Sequence, residues 1–410
     1  MLFADTYKVF KGFYTKCDKP TFWFCLIELY QVLGFMPSLP SPVLYAAIAC
    51  YALYQLFRKD IVIDRLLLVF LIYVPISLLI VSPDSVFNSW KRYVLFVLLL
   101  ISVSPLLSGG EISRNRKIML KMMLFLCVFI GVGSFFAKFL GLNFAKGIPE
   151  ELLTRNGFFA GLTIHALPLG AISGIGAIYM AYLAYTTKKK VYLLLSILCV
   201  MCVMFSASRI AFISLVIGFI VMLFRLSESA KKFAINVGVL ILIGGVSYPI
   251  WSGAMDCVIH KNEFNIRAGS MFKSREKMWN SRIEEFCKSP VFGVGFAAID
   301  REISEDFGFH KETGNVEPGS SWLIIFSMTG LLGAMLIIPV LIKAYYKTFR
   351  RKTRYACFLC GLLTFFFVHM IAEGYIYFGG SQLAFMLWLT IGVAMDCSYL
   401  KSNFSGKESV

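Results

Sequence analysis

The chain has 410 residues, 58% of them hydrophobic, and a formal net charge of +16. Soluble domains usually run ~45–50% apolar, so this composition excludes an ordinary soluble fold. The apolar runs are long and continuous rather than alternating, which excludes a β-barrel and predicts an all-α polytopic membrane bundle. The positive residues fall in short loops between apolar runs. Topology therefore explains the charge better than nucleic-acid binding does, and no nucleic acid is expected as a partner.

Allowing ~20 apolar residues per span gives about twelve spans. They lie near 22–36, 43–57, 66–82, 93–107, 121–142, 157–185, 191–206, 210–224, 233–251, 321–346, 355–372 and 376–396. Three regions follow: spans one to nine in 1–251, a long polar loop with short helices in 252–320, and the last three spans with a tail in 321–410. Alternate loops differ in charge. One set carries Arg58, Lys59, Arg65, Arg114, Arg116, Lys117, Lys188, Arg225, Lys232, Lys347, Arg350 and Arg354. The other short loops carry only Lys91, Arg92, Lys146, Arg155 and Arg209. The positive-inside rule then puts both termini in the cytoplasm and 252–320 outside. The N-terminal stretch shows no compact signal-peptide pattern, so the first span is read as an uncleaved anchor.

Cysteines Cys127, Cys199, Cys202, Cys357 and Cys360 sit inside apolar runs as small hydrophobes. No Cys pair has metal-ligand spacing in a polar context, so neither a metal nor a cofactor is expected. Cys257 and Cys287 both fall in the outer loop, where a disulfide and a pair of spare thiols are both open readings.

The outer face holds the candidate chemistry. SASR (206–209) puts Arg209 at the seam of two apolar spans, where it serves either as a headgroup anchor or as a cation for an anionic group. SREKMWNSRIEEFCKSP (274–290) predicts a short helix stopped by Ser289-Pro290. Helical spacing puts Arg275, Trp279, Ile283 and Phe286 on one face of it, with the last three packing on the bundle. FGVGF (292–296) signals a sharp backbone turn and is not a phosphate loop. Arg155 and His165 belong to the start of the sixth span, with His165 about 15 Å deep if that span begins near 157. EPGSSW (317–322) opens the tenth span, and its Glu317 is a candidate general base, with His310 and Glu373 as rivals.

Together these pieces resemble the O-antigen polymerase/ligase family of bacterial envelope glycan assembly. SASR is similar to its Ser-Arg motif. SREKMW with SPVFGVGF is similar to its Arg-x-x-x-Trp and Pro-x-x-Gly-x-Gly signature, and RNGFFAGLTIHALP (155–168) to its Arg/Gly/His region. The resemblance implies a multi-pass enzyme of the bacterial inner membrane, similar to the integral-membrane (GT-C-like) glycosyltransferases, with 252–320 as a large periplasmic loop. It implies a metal-independent enzyme whose donor is a glycan on undecaprenyl diphosphate. Arg209 and Arg275 would bind the diphosphate. Read from the residues themselves, Arg155, His165, Trp279, Ser320 and Trp322 are expected to line a glycan cavity, and Glu317 or His310 to be catalytic. Membrane lipid and a chain-length regulator are the other implied partners. One motif departs from the ligase branch: counting back from GLLG (330–333) puts Gly319 where that branch has a catalytic His. A repeat-unit polymerase is therefore the first expectation, a ligase the second, and a lipid-linked glycan transporter the alternative from another class.

Overall fold

The computed structural model describes residues 15, 18–37, 39–82, 85, 88–146, 159–246, 248, 252, 273–304 and 319–396. In chain order the elements are α1 (Lys19–Tyr30), α2 (Ser41–Leu56), β1 (Val62–Ile63), α3 (Arg65–Val81), α4 (Ser89–Val103) and β2 (Leu107–Ser108). Next come α5 (Gly110–Phe139), α6 (Ala166–Thr187), α7 (Lys190–Phe205), α8 (Arg209–Leu226) and α9 (Ala230–Val246). The chain continues with α10 (Lys273–Lys288), α11 (Arg301–Ser304), α12 (Ser321–Arg350), α13 (Arg354–His369) and α14 (Gln382–Asp396).

Four described helices, α5, α6, α8 and α12, are long and apolar enough to cross a membrane, and α2, α3, α7, α13 and α14 are shorter apolar helices. Their outer faces are apolar as well. On α3, Leu67, Phe70, Leu71 and Val74 are buried while Leu68, Ile72, Ile76 and Leu79 are exposed. A helix that is apolar on both faces is built for a lipid solvent. The sole sheet among the described residues is the antiparallel β1–β2 pair, with Val62 opposite Ser108 and Ile63 opposite Leu107.

The chain forms two compact units, and each collects separate stretches of sequence. The first contains 1–40, 118–271 and 348–369; the second contains 41–117, 272–347 and 370–410. The sequential regions 1–251, 252–320 and 321–410 thus cut across the compact units.

In the first unit α6 packs on α7 and α8, and α8 packs on α13. Small residues permit these approaches. A Cβ at Gly218 of α8 would lie 3.0 Å from the carbonyl of Gly361 on α13, and one at Gly176 of α6 would lie 3.0 Å from backbone of Cys127 on α5. Such close helix crossings are characteristic of membrane bundles.

In the second unit α12 is broken. Gly330 has φ 62° and ψ −170°, so the helix stops and restarts there. The turn after α10 fills the gap. The N–H of Leu331 donates to Pro290 O at 2.8 Å, that of Leu332 to Val291 O at 3.3 Å, and that of Val294 to Ser327 O at 2.8 Å. Tyr73 of α3 donates its hydroxyl to Thr329 O at 2.7 Å, and Ser77 donates to Phe292 O at 3.1 Å. Backbone groups freed by the break are therefore satisfied by protein, as an apolar surrounding requires.

Candidate functional site

The second unit assembles one cluster from three parts of the chain. Arg275, on the first turn of α10, donates Nη2–H to Glu373 Oε1 at 2.5 Å. Both side chains are largely enclosed, at 15% and 11% exposure. Glu373 sits in the non-helical link between α13 and α14, and that link is tied to the start of α12. The Ser321 hydroxyl donates to Glu373 O at 2.7 Å and accepts from Tyr375 N–H at 2.9 Å. The Ser320 hydroxyl donates to Met370 O at 3.2 Å. Burial, reinforced by the neighbouring Glu373 carboxylate, pushes the Tyr375 phenol well above its ordinary pKa, which removes it as a base near neutral pH.

Gly319 explains the departure from the ligase pattern. Its φ is +83°, and a Cβ there would lie 3.0 Å from Met278 Cβ and 3.6 Å from Trp279 Cδ1 of α10. A histidine would be strained and crowded at this position. Trp279 is half-buried against this turn, and Trp322 is half-buried on the first turn of α12.

Below Arg275, Phe286 packs edge-on against Phe326 of α12 at 5.9 Å as expected, but α10 departs from the expected face at Ile283. Ile283 is 48% exposed, whereas Arg282 and Glu285 are 2% and 0% exposed. The buried positions beside it are thus polar. Arg282 Nη1 lies 2.7 Å from Glu285 Oε2, and Glu285 Oε1 accepts from Asp300 N–H at 3.1 Å. Burial pushes the Glu285 carboxyl up to about 7, against the pull of Arg282. An ion pair can sit inward only with partners of this kind, which an apolar face count does not detect.

In the first unit Arg209 is the first residue of α8. Ser208 caps that helix by accepting from Ala211 N–H at 3.4 Å, and Ala207 takes φ +50° to turn the corner from α7. Gly170 of α6 admits this corner, since a Cβ there would lie 2.7 Å from Ser206 Oγ and 2.9 Å from Ser208 Cβ. His165 is not inside a helix as expected. It is the N-cap of α6, where its Nδ1 accepts from Leu167 N–H at 3.2 Å. The helix starts late because 159–165 is bent at Gly161, φ +53°, against Ser134, and Thr163 pairs with Leu33. The N-termini of α6 and α8 thus share one end of this unit, where helix dipoles favour an anion. Lys138 stands at the same end, 5.0 Å from the Phe159 ring and 5.9 Å from that of Phe205 at the close of α7.

Arg155, His310, Glu317 and Cys257 lie outside the described residues. Cys287 is exposed on α10 and forms no disulfide among the described residues. Among those residues no group of His, Cys, Asp or Glu has a metal-binding arrangement. The residue that sequence reasoning undervalued is Glu373. Its signal is a lone carboxylate between two apolar spans. Ser321 gave no signal beyond its place in EPGSSW.

These features define a polytopic α-helical membrane protein with a polar, arginine-bearing cluster at a helix mouth. Residues 194–338, about a third of the chain, match the family model described as O-antigen ligase, and this match supports the O-antigen polymerase/ligase family. Arg209, Arg275, Trp279 and Gly330 fall inside the match; His165 and Glu373 fall outside it. No curated protein matches the chain.

Proposed function

We propose that the chain is a membrane glycosyltransferase that polymerises lipid-diphosphate-linked oligosaccharide repeat units into an O-antigen or capsule-like polysaccharide. The observation that carries this reading is the enclosed Arg275–Glu373 pair at the mouth of α12. A guanidinium fork matches the oxygens of a diphosphate leaving group and stays charged, so it can stabilise departure without a metal. Arg209 enters the proposal through its Ser-Arg motif and not through any distance to Arg275.

In this reading an acceptor hydroxyl oxygen bonds to the anomeric carbon of the donor glycan. The bond from that carbon to the diphosphate oxygen breaks, and its electron pair leaves with undecaprenyl diphosphate. The hydroxyl proton passes to a carboxylate. Diphosphate competes with Glu373 for Arg275, so donor binding frees Glu373 to accept that proton. Glu317 and His310 are the rival bases. Direct displacement inverts the anomeric centre. The site faces the periplasm, both termini are cytoplasmic, and a chain-length regulator is the expected protein partner.

The ligase reading stands second, favoured by the description of the matching family model. A transporter would use a broken helix to line its substrate cavity. Here the break at Gly330 is filled by the 290–294 backbone, which leaves no cavity at that point. Gels of lipid-linked and surface glycans from a strain lacking the protein separate the readings. Collapse to single repeat units supports a polymerase. Full-length chains stranded on the carrier mean a ligase. An unchanged ladder overturns both.

A further inference from the structure

The second unit carries a separate cavity of about 460 Å³ at its other end, lined by residues of β1, the start of α3 and the last turns of α12. Lys343 and Lys347 stand in the last turns of α12, beyond the break at Gly330, whereas Ser321 is its first residue. None of the residues that line this cavity belongs to the Arg275–Glu373 cluster.

Its chemistry is divided. Arg65, Lys343 and Lys347 bring three cations to the rim, and Asp64 is the one carboxylate in the lining. Asp64 is already engaged. It caps α3 by accepting from the N–H groups of Leu66 and Leu67, at 3.1 Å and 3.2 Å, and lies 3.4 Å from Lys343 Nζ. Lys347 donates to Met395 O at 3.2 Å, which fixes its ammonium at the wall. The lining thus keeps a net positive charge. The other wall is apolar and open: Val62 and Ile63 of β1 are 54% and 48% exposed. Exposed aliphatic side chains beside fixed cations at a bilayer boundary suit one class of ligand, which has a phosphate next to hydrocarbon.

We infer that this cavity is a binding site for an anionic phospholipid, with the headgroup phosphate on Arg65, Lys343 and Lys347 and the acyl chains along Val62 and Ile63. The site is independent of the reading of the reaction, because it lies at the opposite end of α12 from Arg275. Free phosphate shares the charge but not the apolar contact, so the two sources are separable.

The test uses the full chain purified in neutral detergent, with native mass spectrometry to count retained lipids. Phosphatidylglycerol and phosphatidylcholine are added in turn, and inorganic phosphate separately. The expected result is a retained phosphatidylglycerol that phosphatidylcholine does not match. Near a membrane surface each cation contributes about fivefold in affinity for anionic lipid, so Arg65→Gln and Lys343→Gln should each lower its retention by about that factor. Both side chains are substantially exposed, so folding is expected to survive. Lys91→Gln, at the far end of the α3–α4 hairpin, should change nothing. Equal retention of both lipids, or undiminished retention in the two variants, overturns the inference. Phosphate adducts that form equally well and displace the lipid also overturn it.

Discussion

Arg275 and Glu373 are 98 residues apart in the chain and meet at 2.5 Å. The link between α13 and α14 thereby supplies the counter-charge for an arginine of α10. The pair is enclosed but not sealed, so an anion can compete for the guanidinium. This exchange makes Arg275 a leaving-group ligand and Glu373 a base in the proposed reaction.

Two substitutions separate these roles. Glu373→Gln keeps a hydrogen-bond acceptor for Arg275 and removes the base. General-base catalysis is worth roughly 10²–10⁴-fold, so turnover should fall by about that factor while donor binding is kept or strengthened. Arg275→Lys keeps a charge and loses the fork, so donor binding and turnover should both fall. Single-turnover assays on membranes of matched protein content read both. Full turnover in Glu373→Gln would return the base to Glu317 or His310.

The break in α12 gives a prediction about stability. A Cβ at Gly293 would lie 2.5–2.7 Å from backbone of Met328, Thr329 and Gly330, and one at Gly330 would strike Val291 O. Both glycines have positive φ, +73° and +62°. Gly293→Ala and Gly330→Ala should therefore each reduce folded protein sharply, with backbone strain of ~1–3 kcal/mol added to the clash. Gly141→Ala, at φ +69° with nothing within 4 Å, should show the strain alone. Monodisperse yield and melting temperature in detergent provide the comparison.

Glu285 makes the fold pH-sensitive. Burial raises its folded pKa to about 7 from an ordinary value of 4.5, so the folded state binds the extra proton. A raised carboxyl pKa contributes stability that is full below 4.5 and is lost as pH rises through about 7. Burial likewise lowers the Arg282 pKa, while Glu285 and Asp300 oppose that shift. The melting temperature should fall as pH rises from 4.5 to about 7 and level off above that, and Glu285→Gln should flatten the slope. Arg282→Ala should destabilise most above pH 7, by about 3–5 kcal/mol, where the buried Glu285 is charged and loses its cation.

A second buried pair gives a control away from the candidate site. Arg116 donates to Asp396 at 2.7 Å and also to Leu107 O, and both side chains are almost fully enclosed. Asp396→Ala should cost about 3–5 kcal/mol, and a paired apolar replacement of both residues should recover much of it. Thermal unfolding measures the loss, and activity per folded molecule should stay constant.

How much of this was legible in the sequence depends on the range of the interaction. Long apolar runs gave the helical membrane class, because hydropathy is a local property. Caps and breaks were less visible. The apolar run places His165 inside a helix because it does not show where Gly161 bends the chain. Helical spacing ranks apolar residues and so places Ile283 inward, whereas the buried positions beside it are Arg282 and Glu285. FGVGF and GLLG were read as separate signals. Their meaning is mutual, since each glycine leaves room for the other's backbone, and no local pattern shows that. The same holds for Arg275 and Glu373.

The most direct test of the central claim is polymerisation by the purified protein, given lipid-diphosphate-linked repeat units as donor and acceptor, with a chelator present throughout. The account predicts a ladder of lipid-linked oligomers with release of the carrier diphosphate, undiminished by the chelator and lost in both Arg275→Ala and Arg209→Ala. Folded protein that yields no oligomers from competent substrate, or a ladder that survives Arg275→Ala, would contradict it.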